Sequence, residues 1–176
     1  MPNSIQIKKV VFIGYRGVGK TTVSKDLADK LKWPYVSSDE KIEEKCGMTI
    51  REFVASSGWQ EFRKLEKSVI EELSNLNHVV IDCGGGVVED AQNMERLSKN
   101  ALIVWVDSDM EDIYKRLSKA MDRPRLENPD LKKDVDITYQ KRLPLYRKYS
   151  HIYLNTSQLT IDECSRVILD ALKNMS

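Results

Sequence analysis

The sequence has few of the residues that build metal clusters or disulfide frameworks. Its three cysteines, at positions 46, 83 and 164, lack C-x-x-C spacing, and its two histidines, His78 and His151, each begin an apolar run. The first ten residues lack the charged-then-apolar layout of a signal peptide. We therefore expect reduced thiols, a cytoplasmic protein, structural histidines and no His/Cys metal site.

The sequence also lacks an excess of charge and a long apolar run. The net charge of +1 gives no global field to attract nucleic acid or a membrane surface. No apolar run approaches the roughly 20 residues needed to span a bilayer. With 176 residues and an ordinary hydrophobic fraction of 41%, we expect one domain over residues 1–176, a monomer, and no nucleic-acid or membrane partner.

Apolar runs of strand length recur along the chain, with helical patterns between them. The runs are "VVFIG" at 10–14, "YVS" at 35–37, "HVVID" at 78–82, "ALIVWV" at 101–106 and "HIYLN" at 151–155. Continuous hydrophobicity is typical of strands buried on both faces. The alternation predicts an α/β fold with a parallel sheet, helices on both faces, and ligands at the carboxyl ends of the strands.

Two segments interrupt this alternation. After the second strand, two short helical segments, about 39–46 and 49–57, are separated by Gly47. They predict a substrate-binding insertion at about residues 38–65. Residues 118–134, "SKAMDRPRLENPDLKKD", contain two prolines, many charges and few apolar side chains. A long irregular segment in a compact domain is often a lid or a binding loop, so we expect a lid there.

A phosphate-binding loop is the most specific single motif. Residues 14–21, "GYRGVGKT", match G-x-x-x-x-G-K-[ST] at Gly14, Gly19, Lys20 and Thr21, between a predicted strand and a predicted helix. Such a loop turns its N–H groups onto phosphate oxygens, its lysine reaches the β- and γ-phosphates, and its threonine offers a hydroxyl to Mg²⁺. The motif predicts binding of ATP and Mg²⁺, and we expect Gly17, Val18 and Thr22 to contribute to nucleotide binding as well. The alternative is an ordinary glycine-rich turn.

Three glycines, Gly84, Gly85 and Gly86, follow the third predicted strand. Glycine is costly to order, so a run of three indicates that something approaches the backbone closely. Asp82 ends that strand, where a Walker-B carboxylate holds Mg²⁺ directly or through water. The alternative is that Asp82 caps the next helix or satisfies a turn.

A phosphoryl acceptor would need a group to orient its hydroxyl, and Asp39 is the candidate. It lies just past the second strand, near the phosphate-binding loop in any such sheet, and could accept the hydroxyl proton. Ser37 and Glu40 also match a capping box, in which case Asp39 favours the helix N-terminus.

Arginines supply candidates for binding anions. Arg63 flanks the apolar stripe of a predicted helix, with Glu66 three residues on and able to brace it. Arg142 lies in "KRLPLYRKY", and Arg123 and Arg125 bracket a proline in the expected lid. The planar guanidinium suits carboxylates and phosphates, although most surface arginines are merely solvated.

Five segments in order resemble shikimate kinase over about residues 10 to 172. They are "GYRGVGKTT", "SDEKIEEKCGMTIREFVASSGWQEFRKLE", "CGGGVV", "DRPRL" and "KRLPLYR". "GMTI", "GWQEFR" and "CGGGVVE" are also similar to the kinase domain of the fungal five-activity shikimate-pathway enzyme. The resemblance implies a three-layer P-loop kinase with a five-stranded sheet of order 2-3-1-4-5. Such a kinase moves the γ-phosphoryl of ATP to the 3-hydroxyl of shikimate, in the biosynthesis of chorismate and aromatic amino acids.

The resemblance also implies roles for matching positions. Asp39 would hold the shikimate hydroxyls and act as base, and Arg63 and Arg142 would grip the shikimate carboxylate. Residues 84–86 would lie at the ring, where a Cβ would block backbone N–H contact. The remaining matches are Arg123 closing over the phosphates with the lid, Arg116 stacking on adenine, and Phe62 and Glu66 supporting the site.

Three positions depart from the family's pattern. The family usually has Asp-x-Asp after strand two, and its first Asp assists the magnesium shell; here that position is Ser37. A small residue is usual where this sequence has Asp82. Because the two strands are neighbours in this fold, we hypothesise that the magnesium carboxylate has moved from strand two to strand three. Val54 replaces a frequent pocket aromatic.

Two rival functions remain open. One is a P-loop kinase for another hydroxy acid such as gluconate, which would share Lys20 but need not use the arginine pair. The other is a regulatory module that binds nucleotide or shikimate but is catalytically silent. The missing Asp at position 37 favours it, whereas Lys20, Asp39, Asp82 and Arg123 argue against it.

Overall fold

The structure is a computed structural model that describes residues 6–120 and 130–175. Five parallel strands form one sheet of order β2-β3-β1-β4-β5. The strands are β1 (Lys9–Ile13), β2 (Tyr35–Ser37), β3 (Val79–Asp82), β4 (Ala101–Asp107) and β5 (Ile152–Asn155). The predicted parallel sheet and the strand order that the resemblance implied are both confirmed.

The three central strands are buried along their whole length. Every residue of β1, β3 and β4 is buried, as expected for apolar strands that helices cover on both faces. The polar residues that end the strands gather at one edge of the sheet. There Ser37 pairs in register with Asp82, and Asp107 pairs with Asn155.

In the described part of the chain, seven helices accompany the sheet, together with a short 3-10 turn at Val87–Glu89. The helices are α1 (Lys20–Leu31), α2 (Ser38–Cys46), α3 (Ile50–Ser74), α4 (Ala91–Ser98), α5 (Met110–Lys119), α6 (Leu131–Tyr149) and α7 (Ile161–Asn174). Within the two described segments, no helix combines the length and hydrophobicity that a membrane crossing requires.

Local side-chain chemistry sets several helix starts. Thr49 before α3 and Thr160 before α7 form capping boxes with Glu52 and Glu163: each threonine hydroxyl accepts the glutamate N–H, and each glutamate carboxylate accepts the threonine N–H. Asp90 caps α4 by accepting two N–H groups of its first turn. These bonds satisfy donors that a helix start leaves unpaired.

The insertion after β2 contains the expected pair of short helical segments. Helix α2 ends at Gly47, in the left-handed conformation, as expected. The second segment begins at Ile50, and Gly58, with φ 82° and ψ 168°, breaks the helical geometry after it, which confirms the expected end near residue 57. The next helix follows this break with no loop between them, so the two helices are described together as α3, over 50–74.

The apolar pattern of the sequence did not predict helices α4 and α6. The buried face of α6 mixes Asp134, Thr138 and Arg142, at four-residue spacing, with Val135, Tyr139 and Tyr146, and Pro144 lies inside the helix. Because polar side chains interrupt the apolar ones on the face that turns inward, the apolar stripe of α6 was too weak to predict a helix. Of the segment expected to be a lid, residues 118–119 end α5, residues 131–134 begin α6, and residues 121–129 lie outside the described part of the chain.

Candidate active site

Two adjoining cavities open beside the carboxyl ends of β1, β2 and β3. The first, here the loop cavity, is lined by the loop after β1 and by Ser37, Asp82 and Arg116. The second, here the arginine cavity, is lined by Ile50, Trp59, Phe62, Arg63, Glu66, Gly85, Gly86 and Arg142. Arg16, Asp39 and Gly84 line both. A ligand in one cavity therefore lies next to a ligand in the other.

The loop cavity contains most of the predicted phosphate-binding residues. Its lining includes Gly17, Gly19, Lys20 and Thr21. The Lys20 ammonium donates to the carbonyl oxygens of Gly14 and Tyr15, at 2.9 and 3.0 Å, and so lies over the loop. Gly14 has a φ of +146°, and a Cβ there would overlap the Val106 carbonyl. The loop's path along β4 therefore requires glycine at this position.

Other predicted nucleotide residues differ in their placement. Arg116 lines the loop cavity and donates to the Gly17 carbonyl at 2.9 Å. The Val18 side chain is fully buried in the core, and its carbonyl accepts the hydroxyl of Thr156 at 2.7 Å. Thr22 is exposed in the first turn of α1. Gly14, Val18 and Thr22 thus belong to the loop and its helix, but they are not part of the cavity lining.

Asp82 is tied to the phosphate-binding loop. Its Oδ2 accepts the Thr21 hydroxyl at 2.7 Å and the Tyr35 phenol at 3.1 Å. Burial first, and then the Asp82 charge, raise the pKa of the Tyr35 phenol above its ordinary value, so this phenol stays a donor at neutral pH. The alternative of helix capping is wrong, because Gly86 and Asp90 are the N-caps of the 3-10 turn and of α4.

Asp39 has the position that each of its two possible roles requires. It lies in the first turn of α2, where Ser37 is the N-cap and its hydroxyl accepts the Glu40 N–H at 3.3 Å. The Asp39 side chain also lines both cavities. Its charge therefore favours the helix N-terminus and faces the point where the two cavities join.

The arginine cavity holds the two predicted arginines together. Arg63 Nη1 donates to Glu66 at 2.9 Å, as the i, i+3 spacing predicted. Its Nη2 donates to Glu89 Oε2 at 3.5 Å, and Arg142 Nη2 donates to the same oxygen at 3.1 Å. Lys141 also pairs with Glu89, at 3.0 Å. One carboxylate thus bridges two guanidinium groups that would otherwise repel each other.

The two glutamates of this cavity have opposite pKa shifts. Burial raises the pKa of Glu66 above its ordinary value, and the Arg63 charge offsets only part of that effect. Burial alone would also raise the pKa of Glu89, but Arg142, Lys141 and Arg63 together hold it below its ordinary value. Glu89 is therefore a stable anion, whereas Glu66 takes up a proton more readily than an exposed glutamate.

The three glycines after β3 make room for the side chains of the site itself. A Cβ on Gly84 would lie 2.6 Å from Asp39 Oδ1, and a Cβ on Gly86 would lie 2.7 Å from Arg63 Cζ. A Cβ on Gly85 would lie 3.4 Å from Arg142 Nη1. Asp39 and both arginines therefore pack directly onto this turn. The Gly84 N–H donates to the Ser38 hydroxyl at 3.0 Å.

One predicted site residue has no described position. Arg123, with its neighbour Arg125, lies outside residues 6–120 and 130–175, which the structure describes.

The sequence did not identify Arg16, Tyr35 or Glu89 as part of the site. Arg16 stands inside the phosphate-binding motif, which is the signal that could have drawn attention to it. Its guanidinium pairs with the fully buried Asp134 at 2.8 Å, a contact between residues 118 positions apart. Pairings over such distances leave no local pattern in a sequence.

The histidines are structural, as expected. His151 Nδ1 accepts the Ile103 N–H at 3.0 Å, and His78 packs edge-on against Trp33. The three cysteines have free thiols. Within the described ranges, no group of three or more His, Cys, Asp or Glu side chains is arranged to hold a metal ion.

Comparison with known proteins gives one consistent result. The family model for shikimate kinase matches residues 16–173. A shikimate kinase of Caldanaerobacter subterraneus is 34% identical over 165 residues, which cover 94% of this chain and 96% of that protein. A shikimate kinase of Thermodesulfovibrio yellowstonii is 35% identical over 170 residues, covering 97% of this chain and 98% of the relative.

A solved structure extends the similarity to three dimensions. The shikimate kinase of Acinetobacter baumannii, in complex with shikimate, superposes with a TM-score of 0.89 at 29% identity. The match covers 96% of this chain and 94% of that one.

Proposed function

The chain belongs to the shikimate kinase family, and from this premise we propose that it transfers the γ-phosphoryl group of ATP to the 3-hydroxyl of shikimate. The observation that carries the proposal is the junction of two cavities at Asp39. Lys20 and Thr21 line one cavity, Arg63 and Arg142 line the other, and Asp39 lines both. A phosphate donor and an organic acid can therefore meet there.

We propose that the arginine cavity binds the carboxylate of the acid. Arg142 is 4% exposed, and it shares Glu89 with Arg63, so both guanidinium groups are held before a ligand arrives. Preorganised arginines lose little freedom when they bind a carboxylate. The Trp59 and Phe62 rings beside them offer an apolar wall for a carbon ring.

Asp39 is the proposed partner of the reacting hydroxyl. The hydroxyl oxygen forms a bond to the γ-phosphorus while the bond from that phosphorus to the β,γ-bridging oxygen breaks. Asp39 accepts the hydroxyl proton, and ADP leaves. Lys20 offsets the charge of the β- and γ-phosphates. Arg116 lies where it can contact the adenine ring of ATP. Positioning and charge stabilisation then supply most of the rate.

The end of β3 fits Mg²⁺, which kinases of this fold use with ATP. Mg²⁺ prefers oxygen ligands and is commonly held by one or two carboxylates together with substrate phosphates. Thr21 and Asp82 offer a hydroxyl and a carboxylate 2.7 Å apart, and we infer that they hold the ion, which when bound neutralises phosphate charge. Because Asp82 pairs in register with Ser37, β3 can supply the carboxylate that the family's motif has on β2.

We retain Arg123 as the proposed lid cation on the strength of the matching "DRPRL" segment. An arginine that reaches the transferring group in the transition state is worth roughly 10³–10⁵ in rate. Arg123→Ala should therefore reduce kcat, and Arg63→Ala and Arg142→Ala should mainly raise the KM for the acid.

We also propose that the protein acts as a single-domain monomer in the cytoplasm. The single domain is supported by the one sheet that joins all five strands, and the cytoplasmic location by the ATP that the reaction consumes. Light scattering of the purified protein measures the oligomeric state.

A coupled assay of ADP release tests the function. Shikimate, quinate and gluconate are compared at saturating ATP and Mg²⁺, with the Arg63→Ala variant as control. We expect shikimate to give the highest kcat/KM, and the variant to lose that preference. Turnover with gluconate above shikimate would assign another substrate. Calorimetric binding of ATP and shikimate without turnover would identify a silent regulatory module.

A further inference from the structure

The Asp82 carboxylate is held by hydroxyl groups from two different elements. Thr21 donates to Oδ2 from the first turn of α1, and Tyr35 donates to the same oxygen from β2, at 2.7 and 3.1 Å. Asp82 is 6% exposed and lines the loop cavity. Two donors on one oxygen fix the rotation of the carboxylate.

The two donors differ in how firmly they are placed. Thr21 is exposed in the turn that binds phosphate in the proposed reaction, so its hydroxyl acquires a second task when ligands bind. Tyr35 belongs to the sheet and pairs in register with Val80. The Lys25 ammonium lies over its ring, 5.1 Å from the ring centroid. The phenol of Tyr35 therefore stays in place whether or not a ligand is present.

Tyr35 and Ser37 lie on the same side of β2, because alternate residues of a strand share a face. Ser37 is the register partner of Asp82 and the N-cap of α2. β2 thus places hydroxyl groups, rather than a carboxylate of its own, beside the end of β3, and the Tyr35 hydroxyl donates to Asp82. Two carboxylates placed there would repel each other, whereas hydroxyl donors stabilise the single charge.

We propose that Tyr35 is a positioning residue, whose phenol holds the Asp82 carboxylate in the orientation required to bind Mg²⁺. The inference rests on the proposed magnesium site of the shikimate kinase reaction. Groups that orient a metal ligand typically change metal affinity by roughly 10–100-fold when they are removed. Because the strand pairing that places Asp82 beside Ser37 does not depend on the phenol, we expect an effect near the lower end of that range.

The test measures how much Mg²⁺ strengthens the binding of ADP, without turnover. Calorimetry gives the Kd of ADP for wild type and for Tyr35→Phe, once with saturating Mg²⁺ and once in EDTA. Phenylalanine keeps the ring beside Lys25 and removes only the hydroxyl. The matched control is Tyr114→Phe, which removes a phenol that donates to Asp136 between α5 and α6.

We expect Tyr35→Phe to reduce the Mg²⁺-dependent gain in ADP affinity about tenfold, with the EDTA value and the KM for shikimate within about twofold of wild type. Tyr114→Phe should leave all of these unchanged. Equal losses in Mg²⁺ and in EDTA, or no loss at all, would overturn the proposal, because the phenol would then serve only the fold.

Asp82→Asn and the double variant Tyr35→Phe/Asp82→Asn complete a cycle that stays informative if Tyr35→Phe folds poorly. If Tyr35 acts through Asp82, the double variant responds to Mg²⁺ as Asp82→Asn does. An Asp82→Asn variant with a wild-type Mg²⁺ response overturns both the metal site and the role of Tyr35. Shikimate phosphorylation would then still stand, because the ADP-release assay tests it separately.

Discussion

At the scale of single residues, two glutamates pair with the two arginines of the arginine cavity, and Glu89 is shared by both arginines. Glu66 braces Arg63 from its own helix, and Glu89 joins Arg63 to Arg142 from the turn after β3. These contacts come from the protein's own carboxylates, so folding itself stabilises the two cations beside each other. The carboxylate of a substrate can then be bound by groups already in position.

A methyl group on Gly86 should disable Arg63 selectively. Gly86 has φ −92°, which alanine accepts, but its Cβ would overlap the Arg63 guanidinium. That group is the end of a flexible side chain and can move away, so we expect stability to change by less than about 1 kcal/mol. The KM for shikimate should rise about tenfold, since a hydrogen bond to a charged group is lost. Steady-state kinetics measure it.

The same substitution two residues earlier serves as the contrast. A Cβ on Gly84 would displace Asp39 rather than Arg63, so Gly84→Ala should lower kcat more than it raises the KM for shikimate. Equal kinetic effects of the two variants would contradict the separate roles proposed for Asp39 and Arg63.

Glu66 should make the folded state less stable as the pH rises. Its pKa is raised in the folded protein by burial, so folding favours the protonated form. That contribution is complete below the unfolded pKa of about 4.5 and is lost as the pH rises through the folded pKa. Each unit of upward shift corresponds to about 1.4 kcal/mol.

Glu66→Gln should remove this pH dependence. Urea unfolding of wild type and variant, at pH 4.5 and at neutral pH, gives the difference in unfolding free energy. We expect the variant to become more stable relative to wild type as the pH rises. If the variant instead becomes less stable relative to wild type as the pH rises, then Arg63, and not burial, dominates the environment of Glu66.

At the scale of elements, the kink in α3 aims the second half of this helix at the site. Gly58 breaks the helix one residue before Trp59 and five before Arg63, both of which line the arginine cavity. Before the kink, the Ile50 N–H donates to Glu43 of α2 at 2.9 Å, and after the kink Phe62 and Val69 are buried in the core. The bend therefore sets where Arg63 lies.

Substitution of Gly58 should disturb both folding and acid binding. Its φ of 82° with ψ of 168° belongs to a region that essentially only glycine adopts. Gly58→Ala should reduce the unfolding free energy by about 1–3 kcal/mol and raise the KM for shikimate, with the KM for ATP less affected. Denaturant unfolding and kinetics on the same preparation measure the two effects.

Gly47 provides the control, because it is also a glycine with positive φ and with open space around it. Its conformation, φ 71° and ψ 19°, is the left-handed helical one that asparagine tolerates. Gly47→Asn should leave the unfolding free energy and the KM for shikimate nearly unchanged, whereas Gly58→Asn should reduce the unfolding free energy and raise this KM. Similar losses of unfolding free energy at both positions would contradict a special role for the kink at Gly58.

At the scale of the whole molecule, a buried ion pair connects the phosphate-binding loop to α6. Arg16 and Asp134 are 2.8 Å apart, and their side chains are 8% and 0% exposed. Two turns further along α6, Arg142 enters the arginine cavity. The pair therefore fixes the spacing between the two halves of the site.

Removing the charge of Asp134 alone should be strongly destabilising. A buried cation that loses its partner typically costs about 3–5 kcal/mol, whereas replacing both members by apolar residues is often nearly neutral. We expect Asp134→Asn to lower the unfolding free energy by about 3 kcal/mol or more, and Arg16→Met/Asp134→Leu to lose less. Denaturant unfolding gives both values, and a double variant as unstable as Asp134→Asn would argue against the pair.

Much of the fold could be predicted from the sequence, because its signals are local. Runs such as "VVFIG" and "ALIVWV" identified central strands, Gly47 marked the end of α2, and the spacing of Arg63 and Glu66 predicted their contact. The phosphate-binding loop was recognised from eight consecutive residues, 14–21. Each of these features depends on neighbours along the chain.

The failures share one cause. Helix α6 was missed because polar residues interrupt its inward face. Two of them pair with groups far away in sequence, Asp134 with Arg16 and Arg142 with Glu89. The shared use of Glu89 by Arg63 and Arg142 was not visible for the same reason.

The sequence by itself determined the sheet, the phosphate-binding loop and the family, because periodicity and contiguous motifs are properties of the chain. Only the tertiary structure decided which distant side chains share a carboxylate, which hydroxyl groups hold Asp82, and why three glycines follow β3. Those outcomes depend on how helices and strands pack at a distance of a few ångströms, and local sequence does not fix that packing.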